Sequence, residues 1–152
     1  MKDTPEKTSN TDRSRENDEF CVSLRVFGNL DPAEITSLLG CQPTDAARTG
    51  DIVTSRSGRS RTVPQGNWRL CTETSEISIE EQLIGLLARV TSDLSVWHAL
   101  TARFDVDVFC GVFPAAEQHG FDLSPRLHRL LADRNLSIAF DIYALSPAHE
   151  VA

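Results

Sequence analysis

Hydrophobic and polar residues alternate along four segments of the chain. In the first, FCVSLRVFG, the apolar residues Phe20, Val22, Leu24 and Val26 face one way, and Cys21, Ser23, Arg25 and Phe27 face the other. A period of two is typical of a β-strand that buries one face and leaves the other uncovered. The predicted strands are Phe20–Gly28, Asn67–Glu73, Phe104–Phe113 and Leu136–Leu145.

Three other segments repeat apolar residues at helical spacing. LDPAEITSLLG (Leu30–Gly40) and LSPRLHRLLAD (Leu123–Asp133) each place a capping residue before a proline and then paired leucines. Asp31 and Ser124 are the predicted N-caps, because a short polar side chain before proline favours a helix start. Residues 78–103 predict one long helix, or two in line with a break at Thr91–Asp93.

The predicted order is therefore β-α-β-α-β-α-β, with two pseudo-repeated βαβ units joined by the middle helix. Sheets covered on both faces usually have continuous apolar strands, and these strands alternate instead. We expect an α+β fold: a two-layer sandwich of ferredoxin-like type, with a four-stranded, mainly antiparallel sheet and helices on one face. A three-layer parallel sheet is the weaker alternative.

The 152 residues suffice for one domain with a buried core. Residues 1–18 contain almost no apolar side chains and predict a disordered N-terminal tail. The single domain is expected over 19–146, followed by a C-terminal tail at 147–152. Within it, residues 41–66 predict a long arginine-rich loop, which compact domains seldom keep without a function or local disorder.

Charge and composition exclude several kinds of chemistry. The net charge is −7, and residues 19–152 hold 11 basic and 17 acidic residues, so binding to nucleic acid or to an anionic membrane is not expected. No lysine follows Lys7, which leaves the domain without a Schiff-base or phosphate-loop lysine. The four scattered cysteines form no zinc motif, no apolar run is long enough for a membrane span, and we predict a cytoplasmic protein without metal or cofactor.

The outward side of the predicted sheet collects charged and aromatic residues. Asp105 and Asp107 lie two apart on one strand, so their carboxylates project the same way and could act as acid and base or hold a hard cation. Alternatively, arginines and acids simply pair across strands, or the aromatic rings mark a contact with a partner or a second copy. The candidate residues are Arg25, Phe27, Arg69, Asp105, Asp107, Phe109, Asp141 and Tyr143.

The arginine-rich loop is a second candidate site. Its guanidinium groups could wrap a phosphate or carboxylate, although the segment SRSGRSR is equally typical of a solvated loop. The candidate anion-binding residues are Arg48, Asp51, Arg56, Arg59 and Arg61.

Several motifs, taken in order, resemble a bacterial family known as domain of unknown function 4279. The resemblance spans roughly residues 20–145 and implies no activity, because none is established for the family. It is carried by VSLRVFG, LDPAEITSLLG, QPT, Arg48 with Gly50 and Asp51, the isolated Trp68, FCGVF, FDLSPRLHRLLA and FDIYA.

Three functions remain open from the sequence. The favoured one is a non-catalytic protein-binding module, such as an inhibitor or immunity-like protein whose acidic surface covers a basic partner. The second is a small-ligand, anion-sensing domain that dimerises through its sheet. The third is a carboxylate-dependent hydrolase using Asp105, Asp107 or Asp141. No motif for a catalytic nucleophile is present, so no catalytic residue is assigned.

Overall fold

The computed structural model describes residues 16–144. Residues 1–15 of the predicted N-terminal tail and the predicted tail at 147–152 lie outside this range. The strands are β1 (Glu19–Gly28), β2 (Asp45–Ala47), β3 (Ile52–Thr54), β4 (Ser60–Thr62), β5 (Gly66–Cys71), β6 (Asp105–Phe113) and β7 (Ser137–Ile142). The helices are α1 (Pro32–Leu39), α2 (Ile79–Ala88), α3 (Leu94–Arg103) and α4 (Pro125–Asp133).

A five-stranded mixed sheet organises the domain, with the strand order β2-β5-β1-β6-β7. The central strand β1 pairs antiparallel with β5 on one side and with β6 on the other. At the edges, β2 pairs antiparallel with β5, and β7 pairs parallel with β6. Strands β3 and β4 form a separate two-stranded sheet.

All four helices contribute to one hydrophobic core on one face of this sheet. Alternate strand residues such as Val22, Leu24 and Val108 are fully buried in the same cluster as Ile35 of α1 and Leu127 of α4. The two buried tryptophans also satisfy their polar atoms: Trp68 Nε1 donates to Thr36 Oγ1 at 3.0 Å, and Trp97 Nε1 donates to the Thr91 carbonyl at 2.8 Å. No helix among the described residues is long and apolar enough to cross a membrane.

The predicted four-stranded, ferredoxin-like β-α-β-α-β-α-β fold is wrong. Residues 41–66 are not one irregular loop: they contain β2, which adds a fifth strand to the sheet, and the β3–β4 hairpin. These strands have three residues each, too few for a periodic hydrophobic signal, and their pairing partners are set by tertiary structure rather than by local sequence.

The two pseudo-repeated βαβ units are also not equivalent. Helix α4 connects the adjacent parallel strands β6 and β7, as a βαβ unit requires. Helix α1 follows β1, but β5 beside β1 is antiparallel and β2 lies beyond it. The similar helix starts reflect similar capping: Asp31 accepts from the Ala33 N–H and Ser124 from the Leu127 N–H.

The middle helical segment consists of two helices. Helix α2 ends at Ala88, and Asp93 caps α3 by accepting from the Ser95 N–H at 2.9 Å. Between them, the Thr91 N–H donates to the carbonyl of Leu39 at 2.9 Å, which attaches the break to the end of α1.

A buried glutamine joins α2 to the sheet where β5 ends. Gln82 Nε2 donates to the carbonyls of Phe20 at 2.9 Å and Ile77 at 2.8 Å, and Gln82 Oε1 accepts from Thr72 Oγ1 at 2.5 Å. The Thr72 hydroxyl in turn accepts from the Val22 N–H at 2.9 Å. Side chains therefore continue the hydrogen bonding of β1 beyond the end of the regular β5 ladder.

Replacing Gln82 with leucine is expected to lower the free energy of unfolding by about 1–3 kcal/mol, because the Phe20 and Ile77 carbonyls and the Thr72 hydroxyl lose the partner that the amide supplies. Chemical denaturation of the Q82L variant measures this loss. The neighbouring exposed residue gives the control, since E81Q should change stability by less than about 0.5 kcal/mol. A Q82L protein as stable as the wild type would contradict the structural role of the amide.

A second prediction concerns Cys110, which is fully buried in the core. Burial, with a smaller contribution from Cys21, raises the pKa of the Cys110 thiol to about 12. The reactive thiolate is therefore scarce at mildly alkaline pH. Iodoacetamide labelling followed by mass spectrometry should modify Cys110 only as the protein unfolds, and the half-buried Cys71 much sooner. Equal labelling rates for the two thiols in the folded protein would contradict this prediction.

Candidate functional site

The side of the five-stranded sheet opposite the helices is called the open face here. It is formed by the strand residues that alternate with the buried ones. The open face includes Glu19, Cys21, Ser23, Arg25 and Phe27 of β1, Asp45 of β2, Arg69 and Cys71 of β5, Asp105, Asp107, Phe109, Gly111 and Phe113 of β6, Ala139 and Asp141 of β7, and Tyr143 just after it.

A bidentate ion pair lies at the centre of the open face. Arg25 and Asp107 are directly opposite on β1 and β6, with Nε to Oδ1 at 2.8 Å and Nη2 to Oδ2 at 2.6 Å. Both side chains are only 24% exposed. The two parallel hydrogen bonds fix the planar groups together, and this geometry is stronger than a single contact between mobile charges.

Aromatic rings surround the Arg25 guanidinium. Its central carbon lies 4.7 Å from the Phe109 ring centroid and 5.4 Å from that of Phe27. The hydrogen bond to Asp107 is the largest cause that raises the pKa of Arg25, and the charge of Asp141 adds to it. Arg25 is thus held as a cation between ring faces and carboxylates.

A second aromatic group lies at the C-terminal end of β6. The rings of Phe113 and Tyr143 stack with centroids 4.7 Å apart and planes 6° from parallel. Tyr143 is held in place because its backbone N–H donates to the Val112 carbonyl at 2.9 Å, and the residue remains 50% exposed. The open face therefore carries one group of aromatic rings around Arg25 and another at the C-terminal end of β6.

Among residues 16–144, acidic side chains outnumber basic ones on the open face. Its five carboxylates belong to Glu19, Asp45, Asp105, Asp107 and Asp141, whereas its two guanidinium groups belong to Arg25 and Arg69. Asp45 is an addition to the candidates from the sequence. It reaches this face because β2 places it opposite Arg69, and a three-residue strand inside a polar segment gave no local signal for that position.

The two neighbouring candidate carboxylates, Asp105 and Asp107, have different surroundings. Both carboxylate oxygens of Asp107 accept hydrogen bonds from Arg25. Asp105 is instead exposed at the start of β6, opposite Phe27. Among residues 16–144, no group of three or more His, Cys, Asp or Glu side chains is placed to hold a metal ion.

The structure divides the candidate anion-binding residues between two places. Arg48 and Asp51 lie at the base of the β3–β4 hairpin, where Arg48 Nη2 donates to Asp31 Oδ1 at 2.8 Å and the Arg48 N–H donates to Asp51 Oδ2 at 2.8 Å. Arg56, Arg59 and Arg61 lie on the hairpin itself and are exposed.

Two surface hollows lie elsewhere, on the α2 side of the domain. One, of about 440 Å³, is lined by residues that include Thr72, Gln82 and Gly85; the other, of about 270 Å³, includes Leu130 and Arg134. Neither hollow is lined by a residue that the sequence singled out as a candidate. The open face is instead a broad surface, which suits a macromolecule better than a small ligand, since small ligands favour concave sites.

Together these features define a small α+β domain whose mixed sheet is covered by helices on one side and presents aromatic and acidic residues on the other. Residues 18–145 match the family described as a domain of unknown function (DUF4279), and the chain belongs to that family. No curated protein and no solved structure matches the chain.

The bidentate geometry predicts a measurable coupling between Arg25 and Asp107. In a double-mutant cycle with R25M and D107N, the interaction energy should exceed the ~1 kcal/mol ceiling typical of exposed pairs. The control cycle uses R103M and E34Q, whose ion pair has the same 2.6 Å separation but is more exposed, so its coupling should be smaller. Equal couplings in the two cycles would contradict the prediction.

Proposed function

We propose that this protein is a non-catalytic binding module that holds a basic segment of another polypeptide on its open face. The observation that carries the proposal is the environment of Arg25, whose guanidinium is held by the Phe109 and Phe27 rings and the Asp107 carboxylate. We expect an arginine of another polypeptide to be bound by the same kinds of group, aromatic rings beside a carboxylate.

Aromatic rings and carboxylates also occur together elsewhere on the open face. The stacked Phe113 and Tyr143 rings lie near the end of β7 that carries the exposed Asp141, and Asp105 is exposed at the opposite end of β6. Desolvated rings beside carboxylates attract guanidinium groups more strongly than either does alone. Their spacing along the strands suits an extended or hairpin segment with basic residues at alternate positions.

Charge supports a basic rather than an acidic partner. The described residues of the open face include five carboxylates and two arginines, within a chain of net charge −7. Complementary charge raises the rate of association and disfavours acidic competitors. The proposal assigns Asp107 to positioning Arg25 rather than to proton transfer, since both of its oxygens accept from that side chain.

A pair of synthetic peptides tests this proposal. The probe is an extended peptide with arginine and valine at alternate positions, and its matched control carries glutamate in place of arginine. Binding of the arginine peptide to the full chain, measured by calorimetry, should weaken as salt is added because exposed charges are screened. The glutamate peptide should not bind.

Variants locate the binding surface. The double change D105R/D141R should weaken binding of the arginine peptide at least about tenfold, because like charges then face each other. The double change E81R/D133R alters the net charge by the same amount on α2 and α4, and should leave affinity within about twofold. Loss of binding in both variants, equal binding of the two peptides, or no binding of the arginine peptide would overturn the proposal.

A further inference from the structure

A hollow of about 270 Å³ lies on the helical side of the domain, among α2, α4 and the segment that joins α2 to α3. Its volume equals that of roughly nine water molecules in the liquid, which suits a small organic molecule and is too small for a folded element of another chain. The lining residues that the structure describes are two arginines, a serine and five apolar residues, so no acidic side chain borders the hollow among them.

Arg134 lines this hollow as a buried cation. The residue is only 7% exposed, and it forms no ion pair within residues 16–144. Its Nε atom is buried and has no hydrogen-bond partner among the same residues. Because an unpaired buried charge is costly, the Nε side of this guanidinium requires an acceptor that the described part of the chain does not supply.

Two contacts already hold the Arg134 side chain in place. Its Nη1 donates to the Leu130 carbonyl at 3.0 Å, and the central carbon of the guanidinium lies 5.8 Å from the Trp97 ring centroid. Trp97 is itself fully buried and is fixed by its hydrogen bond to the Thr91 carbonyl. The guanidinium is thus held in a defined position before any ligand arrives, which reduces the entropy lost on binding.

Arg126 adds a second guanidinium to the wall of the hollow. It is exposed and forms no ion pair among the described residues. Glu80 is close enough for electrostatic attraction to Arg126, but its Oε1 accepts from the Ser124 N–H at 2.5 Å instead. Two cationic groups in a wall without acids give the hollow a positive potential, although the net charge of the chain is −7.

We propose that this hollow binds a small organic acid, whose carboxylate is held by Arg134 and Arg126 and whose apolar chain contacts α2. The two oxygens of a carboxylate match the planar fork of a guanidinium group. Ile84 and Leu87 supply the apolar wall, and an apolar wall with a few fixed polar groups is typical of small-ligand sites. Inorganic phosphate fits less well, because it has no apolar part to place against these side chains. The site is separate from the open face, and binding here is independent of the proposed function.

Heteronuclear NMR of the isotope-labelled full chain tests this site, because it observes the Nε–H groups of arginine side chains directly. The probe is isovalerate, and its matched control is isovaleramide, which has the same shape without the charge. Isovalerate should shift the Arg134 Nε–H resonance in a saturable titration, and the absence of that resonance from R134K identifies it. Isovaleramide and inorganic phosphate should bind at least about tenfold more weakly, since the first loses the charge-assisted hydrogen bonds and the second the apolar contacts.

Variants at exposed positions locate the binding site without disturbing the core. R126E should weaken isovalerate binding at least about tenfold, because a carboxylate then faces the ligand. R129E makes the same change of charge at an exposed position of α4 outside the hollow, and should leave affinity within about twofold. A88L fills the hollow from α2 while both arginines remain, and should also weaken binding. Thermal unfolding of each variant establishes that it is folded.

Four outcomes would overturn the inference: an Arg134 Nε–H resonance that isovalerate does not shift, equal affinity for isovalerate and isovaleramide, equal loss of binding in R126E and R129E, or unchanged binding in a folded A88L protein. Tighter binding of inorganic phosphate than of isovalerate would overturn the assignment of an organic acid as the ligand.

Discussion

Strand β1 is paired along both edges but buried on only one side. Because successive side chains of a strand point to opposite faces, its residues divide between the hydrophobic core and the open face. Val22, Leu24 and Val26 are fully buried, and the residues between them include Arg25 and Phe27. A slip of one residue in register would place Arg25 in the core, so the burial that stabilises the fold also fixes which charges reach the surface.

The same constraint links the fold to the proposed interaction. Pairing with β6 places Asp107 opposite Arg25, while β7 brings Asp141 and Tyr143 to the same face. Pairing with β5 brings Arg69, and β2 adds Asp45 opposite it. A surface assembled from five strands has fixed spacing between its charged groups, which is what binding an ordered segment through several side chains requires.

Much of this arrangement could be predicted from the sequence, because it depends on local periodicity. Alternation predicts that Val22, Leu24, Trp68, Val108 and Val112 are buried, and they are. The capping residues Asp31 and Ser124 likewise begin helices at the predicted places, and the helical segment predicted from residue 78 begins with Ser78 as its N-cap. Alternation also places Arg25 and Asp107 on one face, but their pairing depends on strand register, which depends on contacts between residues 82 positions apart.

The unpredicted features depend on tertiary contacts rather than on local pattern. Residues 41–66 form three short strands because their ends bond to β5 and to each other, as when the Thr44 N–H donates to the Arg69 carbonyl at 2.7 Å. Ile142 fits the inward series of the last strand, yet it is 54% exposed because β7 is an edge strand and Ile142 is its final residue. Gln82 is buried in α2, but the hydrophobic pattern of the sequence does not predict this, because glutamine is polar.

The central claim is that the open face is the surface on which this protein holds a basic segment of another polypeptide. Hydroxyl-radical footprinting of the full chain, with and without the arginine–valine peptide, tests it most directly. The account predicts that the peptide protects Phe109 and Tyr143 on the open face, while Leu94 on the helical side is unchanged. Protection confined to the helical side, or no protection at any peptide concentration, would contradict it.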